Sequence, residues 1–160
     1  AAPVCVRFMT VLDGIMLVMD EAFDPHWGEA WTRAQVASSL TMPHTYALVV
    51  DSEGRIDRPA DAREPAGFAL IRSAPGEEEL LLIGVRPRFR KRGLGRILLE
   101  SFFTQARKKK ADRVFLEMRA NNPARSLYTS LGFEQIGHRP DYYRLSDGSR
   151  IDAITFGKSI

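Results

Sequence analysis

The apolar run Leu80-Leu-Leu-Ile-Gly-Val85 is followed by a loop carrying Gly93-Leu-Gly95 and then by a helical apolar pattern, and this order constrains the fold most. A strand whose successive side chains are almost all apolar must be covered on both faces, so it belongs in the middle of a sheet. Leu94, Leu98 and Phe102 then step by four residues, which predicts a helix from about Leu94 to Lys109 with one apolar face. Arg107 to Lys110 crowd its carboxyl end, where the helix dipole favours cations, so that charge run needs no ligand.

Elements alternate on either side of this unit. Leu12, Ile15, Met16 and Met19 predict a helix over Val11 to Phe23, ended by Asp24-Pro25, and Glu29 to Leu40 predicts a second. Thr45 to Val50 and Ala66 to Ile71 are expected strands separated by a polar loop over residues 51–65, and Pro75-Gly76 joins the latter to Leu80–Val85. Val114 to Arg119 alternates between faces, Pro123 to Leu131 is a short helix stopped by Gly132, and Asp147-Gly148 turns a final hairpin between Tyr142-Tyr143 and Ile151 to Phe156. The expected architecture is a single α/β (α+β) domain, a twisted mixed sheet with helices on both faces. Met9 is a candidate start, with residues 1–8 a non-native remnant or an additional N-terminal strand.

Composition narrows the function classes. The chain has 160 residues, 44% hydrophobic and 27% charged, with a net charge of +3, as in one soluble globular domain. Cys5 is the only cysteine and His26, His44 and His138 are scattered, so neither a disulfide framework nor a metal site is expected. No apolar run is long enough to span a bilayer, and the expected location is the cytoplasm. Neither G-x-S-x-G nor G-x-x-x-x-G-K-[ST] occurs, which leaves a serine-hydrolase elbow and a P-loop unsupported.

The loop itself places Arg86, Arg88, Arg90, Lys91, Arg92 and Arg96 in one stretch with no acid before Glu100. A helix that starts at Gly93–Gly95 directly after a buried strand presents unpaired backbone N–H groups and the positive end of its dipole, a seat for a compact polyanion such as a pyrophosphate. A solvated charged face and a nucleic-acid contact are the competing readings. Against the latter, no aromatic stacking residues run through the cluster. G-x-G without a third glycine does not decide among them.

The motifs taken in order decide. Val85-x-Pro87-x-x-Arg90-x-x-Gly93-x-Gly95, then Leu116-Glu117-x-Arg119, Asn-Pro-Ala, and Leu127-Tyr128-x-x-x-Gly132-Phe133 resemble the GNAT superfamily of N-acetyltransferases. Within it, Leu116-Glu-Met-Arg119, Leu127 to Phe133 and the tail Arg139-Pro-Asp-Tyr-Tyr143 with Asp152-Ala-Ile154 are similar to the bacterial ribosomal-protein alanine N-acetyltransferases, from about Leu80 to Phe156. The resemblance implies acetyl-CoA as co-substrate and no metal. It implies a cofactor site at Arg90, Lys91, Arg92, Gly93, Leu94, Gly95 and Arg96, with the backbone of Ile83, Gly84 and Val85 holding the thioester and its carbonyl oxygen. Glu117 matches the family's general base and Tyr128 its general acid. The connection between Arg119 and Tyr128 is one residue shorter than in close relatives, so the family's CoA-contacting asparagine is Asn121 or Asn122, with Asn121 expected.

The implied reaction is direct acetyl transfer in a ternary complex to a primary amine, foremost an N-terminal alanine of a ribosomal or other protein. A small-molecule amine is the alternative acceptor, and a CoA-binding sensor or an RNA-binding module the alternative class. Nucleic acid and membrane are not expected partners, and a monomer or weak dimer is expected. Cys5 lies far from these motifs, which argues against an acetyl-cysteine intermediate. Tyr142 and Tyr143 should point to opposite faces, one of them toward the acceptor. Trp27 and Trp31 fit either the acceptor groove or the core. Arg86 and Arg88 are left to solvent or to an acidic partner.

Overall fold

The computed structural model describes residues 9–56 and 64–160; the expectation for residues 1–8, and that for residues 57–63 of the polar loop, lie outside them. Thr10 starts α1 (Val11–Ala22) with a capping box completed by Asp13, and the helix buries Ile15, Val18 and Met19. The second helix, α2, spans Arg33–Leu40 and not Glu29 onward, because Thr32 and Gln35 form a second capping box that fixes its start. The intervening residues make a 3₁₀ turn at Pro25–Trp27, closed by Gly28 in the left-handed region. Trp27 and Trp31 therefore belong to the connection between the helices and not to α2.

Among the described residues six strands form one sheet: β1 (Thr45–Asp51), β2 (Pro65–Ala74), β3 (Glu77–Val85), β4 (Arg113–Arg119), β5 (Glu134–Arg144) and β6 (Arg150–Ser159), in the order β1-β2-β3-β4-β6-β5. Only β3 and β4 pair in parallel, so the sheet is mixed, with the apolar β3 in its interior as expected. The β2–β3 hairpin is longer than its apolar residues indicate, because the acidic run Glu77–Glu79 is strand. Each acid finds a partner there. Glu77 accepts from Arg113 at 2.6 Å, Glu79 pairs with Arg72, and the buried Glu78 accepts from Ser73 at 2.8 and 2.9 Å.

Alternation along β2 sends Phe68 and Leu70 to one face, where α1 and α2 cover them, and Ala69 and Ile71 to the other. That second face is covered by α3 (Leu94–Lys108), through Leu98, Leu99 and Phe102, and by α4 (Arg125–Ser130), through Tyr128. The domain is thus a helix–sheet–helix sandwich with a core on each side. No helix among the described residues is long and apolar enough to cross a membrane.

Candidate active site

The parallel pairing of β3 with β4 runs only from Glu77–Leu80 against Arg113–Leu116. Beyond it β3 continues to Val85 bonded to β2 alone, and β4 continues to Arg119 bonded to β6 alone. The cause is a β-bulge: Leu70 faces Leu82 while Ile71 faces Leu80, so Leu81 is an extra residue where the strands part. A bulge bends its strand, and here it bends β3 away from β4. The outward N–H and C=O groups of Leu81–Val85 lose their neighbour, and apart from Val85 C=O, which accepts from Arg90, they become free to bond an amide-bearing guest. A cavity of about 980 Å³ occupies the gap, walled by β3, β4, the end of α1 with the turn after it, α4 and the β5–β6 hairpin.

Among the predicted cofactor residues, Ile83, Gly84, Val85, Arg90 and Gly95 line this cavity. Lys91, Arg92, Gly93, Leu94 and Arg96 belong to the loop and helix start beside it, off its wall. Gly93 caps α3 in the left-handed region without a side-chain cap, and the first helical bond runs from Ile97 N–H to Gly93 C=O. The N–H groups of Gly95 and Arg96 therefore emerge unbonded at the positive end of the dipole. Lys91 and Arg92 are exposed and have no acidic partner among the described residues, whereas Arg96 pairs with Glu100 at 3.1 Å. Arg90 donates through Nε to Val85 O at 3.0 Å and through Nη2 to Ala22 O at 2.7 Å. Arg86 is not left to solvent; it is 6% exposed, bonded to Glu21 and to Glu64. Arg88 also pairs with Glu64. Gly84 has a use other than room for a guest: a Cβ there would lie 3.1 Å from Ala22 Cβ and 3.2 Å from the Phe23 ring, so it lets the end of α1 rest on β3.

Glu117 and Tyr128 reach the same cavity from different elements. Glu117 projects from β4, accepts a long 3.4 Å bond from Thr155 Oγ1, lies 3.4 Å from Arg139 Nε and keeps 24% of its side chain exposed. Tyr128 is buried against Phe133, edge-on at 5.8 Å, and its hydroxyl has no hydrogen-bond partner among the described residues. Burial, and then the charge of Glu29, push this phenol above its ordinary range, so it stays protonated. Tyr143 also lines the cavity, its phenol pushed up to about 12 by burial and then by Glu117. Tyr142 turns outward, half exposed, with Arg139 5.1 Å from its ring centre.

The turn after α1 adds Glu29, which no sequence pattern singled out, and places Trp27 on the cavity wall. Arg119 lies over the Trp27 ring at 4.0 Å and donates to Glu29 at 2.7 Å, and all three line the cavity. Trp31 does both things expected of it as alternatives, lining the cavity while packing on the α1–α2 core. Asn122 is on the cavity wall and its Oδ1 accepts from Ala124 N at 2.9 Å. Asn121 is exposed, and its Oδ1 accepts from Arg119 at 2.6 Å. The Thr32-x-x-Gln35 capping box was the legible signal that Trp27 and Glu29 precede the helix. Among the described residues no cluster of side chains could hold a metal ion.

Residues 16–133 match the Acetyltransferase (GNAT) family. N-alpha-acetyltransferase RimI of Mycobacterium tuberculosis is 35% identical over 123 residues, 74% of this chain and 70% of that one. The [ribosomal protein bS18]-alanine N-acetyltransferase of Escherichia coli K12 is 41% identical over 90 residues, 56% of this chain but only 60% of that enzyme's length. The crystal structure of the ribosomal-protein-S18-alanine N-acetyltransferase from Escherichia coli superposes with a TM-score of 0.75 at 28% identity, covering 96% of this chain and 91% of that one. The parted strands, the glycine loop after β3 and these similarities agree, and the chain belongs to the acetyltransferase (GNAT) family.

Proposed function

We propose that this acetyltransferase moves an acetyl group from acetyl-CoA directly to the α-amino group of a protein, with an N-terminal alanine of a ribosomal protein as the foremost acceptor. The observation that carries this reading is the single cavity between β3 and β4, in which Glu117 and Tyr128 both stand next to an uncapped helix start.

The residues divide the work. The N–H groups of Gly95 and Arg96, with the side chains of Lys91 and Arg92 and the loop formed by Gly93 and Leu94, receive the pyrophosphate. The free backbone edge of Ile83–Val85 bonds the pantetheine amides, and one of its N–H groups holds the thioester oxygen as negative charge grows on it. An α-amine with a pKa of about 7.7 to 8.0 needs only a modest base to become neutral, and Glu117, directly or through water, takes its proton. Tyr128 then donates the phenolic proton to the departing thiolate. An asparagine at the mouth, Asn121 or Asn122, completes the cofactor wall, and the cavity position of Asn122 favours it over the residue the sequence points to.

The α-amine acceptor is supported by relatives named as an N-alpha-acetyltransferase and as a ribosomal-protein alanine N-acetyltransferase. Mass spectrometry of a panel of alanine-starting peptides and small amines, incubated with acetyl-CoA, tests the acceptor. Acetylation of peptides at the α-amine is expected; acetylation of small amines alone would overturn the protein-acceptor reading.

A further inference from the structure

The carboxyl end of α1 is fastened to the end of β3 at three points. Glu21 pairs with the buried Arg86, the residue that follows β3. Ala22 and Phe23 rest on Gly84, in space that a Cβ would occupy. Arg90 bridges the two elements, with Nε on Val85 O and Nη2 on Ala22 O. Ala22 is the last residue of α1, so its carbonyl has no helical donor, and a guanidinium beside it also meets the negative end of the helix dipole. Both acceptors are main-chain atoms, and the planar fork fixes them relative to each other as a flexible ammonium cannot.

The contacts join the two sides of the cavity. Arg90 sits immediately before Lys91, whose φ of 60° begins the turn into Gly93 and the helix start. Ala22 immediately precedes Phe23 and the turn that carries Trp27 and Glu29. We propose that Arg90 is a positioning residue that sets, from the cofactor loop, the α1-side wall of the cavity carrying Trp27 and Glu29, and that this wall positions the acceptor. This rests on the acetyltransferase reading and departs from the motif's implication that Arg90 serves the pyrophosphate.

The test compares Arg90→Gln, Arg90→Lys and Arg92→Gln in the full chain. At saturating acetyl-CoA both Arg90 variants should raise the acceptor KM on the order of tenfold, since misplacing a wall weakens acceptor positioning. Lysine retains the charge without the fork and should not rescue. Arg92→Gln should raise the acetyl-CoA KM and leave the acceptor KM unchanged. An unchanged acceptor KM in Arg90→Gln, or wild-type behaviour of Arg90→Lys, would overturn the inference. Hydrogen exchange without any substrate provides a second measurement. Amides of residues 19–28 should exchange faster in both Arg90 variants than in wild type and Arg92→Gln, and equal exchange would overturn the inference whether or not the protein turns over. Failure of the acetyltransferase reading itself would show separately, as absence of transfer by the wild type.

Discussion

Tyr143 of β5 and Glu117 of β4 face one cavity, and their proximity is written into the phenol: burial and the carboxylate together push Tyr143 up to about 12. The neutral phenol is the form the fold accepts. A group whose folded pKa is raised contributes stability that is fully present below its ordinary value near 10 and is lost as pH rises through the folded value.

Alkaline titration followed by tyrosinate absorbance should therefore show Tyr143 ionising near pH 12, a step absent in Tyr143→Phe. Tyr128, raised by burial and by Glu29, should remain protonated through pH 10, so kcat should show no alkaline loss from this phenol near its ordinary pKa. A kcat decline near pH 10 that disappears in Tyr128→Phe would contradict this.

Glu117→Gln and Tyr128→Phe should lower kcat by about 10² to 10⁴, the range of lost acid–base catalysis, while the acetyl-CoA Kd changes only slightly. Steady-state kinetics paired with calorimetry separates these outcomes. Unchanged turnover in both variants would remove the roles assigned to them.

Stability should respond at the centre of the sheet–α3 layer. Phe102 is fully buried, and Phe102→Ala should cost about 3–5 kcal/mol through lost burial and the cavity left behind. Denaturant titration measures it, and a loss under about 1 kcal/mol would mean that this layer collapses around the gap.

Acid should loosen the start of α1. The backbone N–H of Thr10, then the Arg33 guanidinium, hold the Asp13 carboxyl down at about 2. A depressed carboxylate contributes stability present above its ordinary pKa near 3.9 and lost as pH falls through the folded value. Wild type and Asp13→Asn should differ in Tm at pH 6 and converge by about pH 2, as thermal melts across that range would show.

The sequence carried the sheet and its flanking helices because apolar periodicity reports burial, which here coincides with the elements that make the core. It failed where polar residues find partners only in three dimensions. Glu77–Glu79 look like a loop until Arg113, Arg72 and Ser73 are placed beside them. Arg86 looks like a surface charge until Glu21 and Glu64 enclose it. The glycine loop, Glu117 and Tyr128 were legible as a motif, since their spacing survives in one dimension. The meeting of Trp27, Glu29 and Arg119 in one wall was not, because Glu29 and Arg119 are separated by 90 positions and come together only after the sheet has formed. The bulge that opens the cavity was equally hidden, being a matter of register between two ordinary apolar strands.

Acetyl transfer from acetyl-CoA to an α-amine in this cavity is directly measurable. Its most direct measurement is release of free CoA thiol with time when the protein is mixed with acetyl-CoA and an alanine-starting peptide. The account predicts thiol release that requires both substrates, matched one for one by acetyl on the peptide's α-amino nitrogen. Acetyl-CoA binding without acceptor-dependent thiol release, from this peptide or any amine, would contradict it.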